Sequence, residues 1–149
     1  MALFGNDQPT PTANGMTLDE AHQIISAART KAEEIKVPMN IAVVDTGNNL
    51  TAFARMDGAW LGSIDIAISK AKTARYFDMT SADLGAASQA GQPLFGINTS
   101  NDGTIIVFGG GIPLVRGGII VGAVGVSGGA VPQDIEVAEA GAESFNNPE

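Results

Sequence analysis

Apolar positions recur along this chain at two periods, and the switch between them marks the elements. Leu18, Ala21, Ile25, Ala28, Ala32 and Ile35 are three or four residues apart, the spacing of a helix with one buried face. Thr17 and Glu20 precede that stripe in the order of a capping box, and Pro38 stops it. Ile41–Val44 and Leu50–Arg55 are short apolar runs, separated by Asp45-Thr-Gly-Asn-Asn49. They predict an antiparallel hairpin, because Asp, Asn and Gly supply the turn conformations. The helical period returns at Ile64, Ala67, Ile68, Ala71 and Ala74, with Ser63 as the predicted N-cap. Thr80 is placed to cap a short helix ending near Gln89, and Gly91–Gly103 reads as an irregular loop.

From Thr104 to Gly129 the pattern changes to short apolar runs bounded by glycines. The reading is a strand at Thr104–Phe108, a crossing at Gly109–Pro113, and a hairpin turning at Arg116–Gly118. The strand Ile119–Ser127 then has no polar face, so it belongs in the middle of a sheet with helices over both sides. Pro132 at a first helical position opens a last helix, buried through Ile135, Ala138, Ala142 and Phe145. The order α-β-β-α-α-β-β-β-α predicts an α+β domain with an antiparallel sheet of about five strands flanked by helices.

Composition narrows the picture. The 149 residues suffice for one core. Residues 1–15 are rich in Pro, Thr, Asn and Gly and read as a flexible arm, leaving 16–149 as a single domain. A net charge of −8 argues against nucleic acid or an anionic membrane surface as partner. There is no cysteine, hence no disulfide, thiol nucleophile or thiolate metal site. No apolar run reaches membrane-spanning length, and Met1–Gly15 lacks the pattern of a secretory signal, so a cytoplasmic protein is expected. Charged residues are only 16% of the chain and glycines number 19, which implies surface buried against other copies of itself.

Five segments occur in register: Asp45-Thr-Gly47, Arg55-Met-Asp-Gly-Ala59, Lys70-Ala-Lys-Thr-Ala74, Gly110-Gly-Ile-Pro113 and Gly122-Ala-Val-Gly-Val-Ser-Gly-Gly129. Together they resemble the GlcG/HbpS family of small haem-binding proteins, which includes the C-terminal domain of PduO-type cobalamin adenosyltransferases. The resemblance spans Thr17 to Phe145. It implies a profilin-like fold and a symmetric homo-oligomer of tetramer to octamer size. It implies a small-molecule ligand, haem in some members and a corrinoid in others, and it fixes the fold better than the function.

His22 is the only imidazole. Imidazole is an axial ligand of haem iron, and the resemblance makes the first helix the source of that ligand in PduO-type relatives, so His22 is the candidate metal ligand. The alternative is a histidine that bonds a neighbour. Arg55 and Lys70 are candidates to bind a carboxylate or a haem propionate, with Asp57 beside them. Against that stand an Arg55–Asp57 or an Asp65–Lys72 salt bridge that only fixes the turn and helix. Met56 at a strand end reads as core rather than as a second axial ligand. Gly110 and Gly111 offer bare backbone at a pocket rim, but Ile112-Pro113 follows where a phosphate loop needs Gly-Lys-Ser/Thr. Glu136 and Glu139 read as a solvated helix face, and Ser127 has no histidine placed as its base. Three functions stay open: a tetrapyrrole binder, an enzyme acting on a carboxylate, and an oligomeric accessory protein.

Overall fold

Thr17 opens the first helix as its sequence dictates. Its hydroxyl accepts from the Glu20 amide at 3.1 Å, and the Glu20 carboxylate accepts from the Thr17 amide at 3.0 Å. Such a cap contributes about 1 kcal/mol. Helix α1 then runs Leu18–Glu34 and buries Ala21, Ile24, Ile25, Ala28 and Ala32. Leu18, expected in that stripe, is exposed at the helix start. The chain leaves the helix through Lys36 in the left-handed region, φ 59°, ahead of Pro38. The computed structural model describes residues 15–148, so the expected arm lies, but for Gly15, outside the described residues.

Four strands follow among the described residues: β1 Asn40–Val44, β2 Leu50–Arg55, β3 Gly111–Arg116 and β4 Ile119–Ser127. Their order is β2-β1-β4-β3, and each neighbouring pair is antiparallel. β4 is central, in keeping with its unbroken apolar run. One sheet face, through Ile41, Val43, Leu114, Val124 and Val126, packs on α1 and on α4 (Val131–Asn146). The other face, through Ala42, Val44 and Ala123, packs on Ala67, Ala71 and Ala74 of α2 (Gly62–Phe77). The layers are therefore helices, sheet, helix. Gly125 sets the close approach of α2, since a Cβ there would lie 2.1 Å from the Ala67 carbonyl oxygen. A short α3 (Ser81–Ala87) follows α2.

The structure departs from the sequence expectations at three places. Thr104–Phe108 is not a strand, so the sheet has four strands where about five were predicted. Its backbone meets helices instead: the Ile106 amide donates to Thr73 Oγ1 at 3.0 Å and the Val107 carbonyl lies against Gly85, while the Ile105 side chain is buried. The strand begins at Gly111, inside the predicted crossing, and takes in Pro113 because β3 is an edge strand that can spare an amide. Ser63 is not the N-cap of α2. Leu61 holds that position without a side-chain cap, and Ser63 is buried in the first turn. The predicted hairpin turn forms at Gly117 and Gly118, both at positive φ. Among the described residues no helix is long and apolar enough to cross a membrane.

Candidate functional site

The sequence candidates fall into three places. The first is the end of β2. There Arg55 donates Nε and Nη2 to the Ala59 carbonyl at 3.2 and 3.1 Å, so its guanidinium closes the turn and forms no salt bridge with Asp57. Asn40, in register with Arg55 on β1, donates Nδ2 to the Trp60 carbonyl at 3.0 Å. Two adjacent strands thus hold the backbone of the Asp57–Leu61 segment while the Trp60 and Leu61 side chains stand 68% and 71% exposed. The Asn40 Oδ1 is buried and meets no donor among the described residues. Arg55 and Asp57 line a cavity of about 330 Å³ with Arg29, Glu33, Ala54 and Met56. Arg29 Nε donates to Glu33 at 2.9 Å, one helical turn on. Met56 packs on the core, and its sulfur accepts from the Met39 amide at 3.4 Å.

The second place is the interior between α2, β4 and α4. Lys70 is fully buried and donates Nζ to Asp134 Oδ2 at 2.7 Å and to the Val126 carbonyl at 3.0 Å. The Phe108 ring centroid lies 4.9 Å from the same nitrogen. Asp134 also accepts from the Gly129 amide at 2.9 Å, so one carboxylate ties the loop after β4 to α2. Burial pushes the Lys70 ammonium below its ordinary value of 10.5, against the pull of the Asp134 hydrogen bond and charge. Gly110 and Gly111 belong here. A Cβ on Gly110 would lie 2.8 Å from Lys70 Nζ, and one on Gly111 would lie 2.2 Å from the Lys70 carbonyl oxygen. Both glycines are buried, and the Gly111 amide donates to Ser81 Oγ at 2.9 Å. Asp134 carried no signal for this pairing in sequence beyond its place in the first turn of α4.

The third place is the outer surface of α1, where His22 is exposed. The fold therefore brings Lys70, Gly110 and Gly111 together and Arg55 and Asp57 together, with His22 apart from both groups. Lys70 is not among the residues lining the Arg55 cavity. Glu136 and Glu139 are exposed on α4, and no group of three metal-ligating His, Asp or Glu side chains forms among the described residues. Sequence reasoning missed Arg29 and Glu33; the signal available was their helical spacing from His22. Chemically, the surface offers an imidazole for a metal and guanidiniums for carboxylates, whereas the Lys70 cluster is built to hold elements together.

Comparisons with known proteins agree with this architecture. The model of the family described as "Haem degrading protein HbpS-like" matches residues 16–143. The crystal structure of Klebsiella pneumoniae protein ORFY is 37% identical with a TM-score of 0.87, covering 99% of this chain and 100% of that one. A crystal structure of the PduOC:haem complex is 34% identical with a TM-score of 0.84, covering 88% of this chain and 95% of that one. The corrinoid adenosyltransferase PduO of Citrobacter freundii is 37% identical over 134 residues, which is 90% of this chain but 40% of that enzyme.

Proposed function

This chain belongs to the HbpS-like family, and on that premise we propose that it binds haem or a related tetrapyrrole, as a cytoplasmic homo-oligomer serving sensing, storage or delivery. The observation that carries the reading is the likeness of nearly the whole domain to the haem complex of PduOC. The donor set of this chain fits the group. His22 is its single imidazole and is exposed, so a ligand can reach it without opening the core. Bound haem would supply a redox-active iron, and neutral imidazole is an established axial ligand for it. In this reading His22 holds the iron, and Arg55 with Asp57 lies on the ligand's carboxylate side. Lys70, Gly110 and Gly111 act at one remove, by fixing the Phe108 segment and α4 against α2. A corrinoid is the second reading, favoured by the match to PduO. Self-association into tetramers to octamers is supported by the exposed Trp60, Leu61 and Phe95 side chains. Titration of ferric haem into the protein tests the reading: a saturable, red-shifted Soret band is expected, and a spectrum equal to free haem at every ratio refutes it.

A further inference from the structure

His22, Ser26, Arg29 and Glu33 are all exposed on α1. Their spacings of four, three and four residues put them on one face of the helix. His22 and Arg29 are two turns apart, about 10 Å along the axis. At the far end of this track, Arg29 and Glu33 form one wall of the cavity whose other wall is Ala54–Asp57. One face of the molecule thus carries an imidazole, a helical spacer and then two guanidiniums beside Ala54 and Met56. Haem has a matching layout, with iron at the centre of an apolar plane and two propionate carboxylates on one edge.

We propose that Arg29 and Arg55 hold the propionate carboxylates of a haem whose iron is ligated by His22, with Ala54 and Met56 against the macrocycle edge. The proposal rests on the haem reading above and adds the orientation of the ligand. Guanidinium suits the task because its planar fork pairs with carboxylates. Arg29 meets a ligand with its terminal nitrogens, since Nε is taken by Glu33. Arg55 meets it with Nη1, since Nε and Nη2 are taken by Ala59. Glu33 and Asp57 line the same cavity and oppose a carboxylate ligand. Removing the charge of Glu33 therefore favours binding, and removing that of Arg29 disfavours it.

The test is spectroscopic titration with two probes, haem and haem dimethyl ester, which has no free carboxylate. Arg29→Gln breaks only an exposed ion pair one turn apart, so the fold is retained. It is expected to weaken haem binding about tenfold, the size of one charge-assisted hydrogen bond, without moving the Soret maximum. Glu33→Gln is expected to tighten haem binding. Binding of the dimethyl ester is expected to be the same in wild type and Arg29→Gln. Haem bound equally by wild type and Arg29→Gln overturns this proposal while leaving the haem reading in place, and so does an equal loss of both probes in the variant. Absence of a Soret shift in wild type removes the haem reading and this orientation with it.

Discussion

The Lys70 ammonium sits 2.7 Å from the Asp134 carboxylate, and both side chains are buried. An ion pair without solvent gains little over an apolar pair of equal volume, but losing one partner strands the other charge in the core. Asp134→Ala is expected to cost about 3–5 kcal/mol of unfolding free energy. The double change Lys70→Met with Asp134→Leu is expected to restore most of that. Urea unfolding of the three proteins decides it; a loss below about 1 kcal/mol in Asp134→Ala shows that the pair does not hold the fold.

A second ion pair, Arg116 with Glu20, contributes to the response to acid. Partial burial disfavours ionised Glu20, yet the Arg116 guanidinium and the Thr17 amide outweigh it and hold the carboxyl below 4.5. A lowered acid pKa stabilises the fold fully above the unfolded value, and that stabilisation is lost as pH falls through the folded value. Wild type is therefore expected to lose stability as pH drops below about 4.5, and Glu20→Gln to lose less over the same window while being weaker at neutral pH. Thermal midpoints of the two proteins across that range check this, and parallel curves contradict it.

The capping box of Thr17 and Glu20, the hairpin β1–β2 and the central place of β4 were all legible in the sequence, because local spacing and apolar runs specify them. Thr104–Phe108 was not. A β-branched run reads the same whether its amides meet a strand or a helix side chain, and here the Ile106 amide meets Thr73. The end of β2 was legible as a marked segment around Arg55, but its cavity partners Arg29 and Glu33 come from α1, and no local pattern joins them. Lys70 was legible as a notable residue and not as a buried one, since its partner is 64 residues away.

Gly125 tests the helix-on-sheet contact. With the Ala67 carbonyl in the path of any Cβ, Gly125→Ala has no flexible side chain to displace. A loss of about 3 kcal/mol is expected, the upper end of overpacking costs. Gly117→Ala, in open space at φ 55°, is expected to lose only about 1 kcal/mol. Equal effects in denaturant unfolding would show that α2 does not seat on Gly125.

Assembly has its own test in the segment held by Arg55 and Asn40. Light scattering of wild type is expected to give a mass several times 15.2 kDa, and the double change Trp60→Ser, Leu61→Ser to lower it. A wild-type mass of 15.2 kDa contradicts self-association.

Haem titration into wild type and His22→Ala, followed through the Soret band at neutral pH, tests whether His22 holds the iron. His22 is exposed, so its removal leaves packing untouched and the variant stays folded. Wild type is expected to bind saturably with a red-shifted band, and His22→Ala to bind with strongly weakened affinity and without that shifted band. Equal affinity and an identical band in the two proteins would contradict it by taking His22 out of the site.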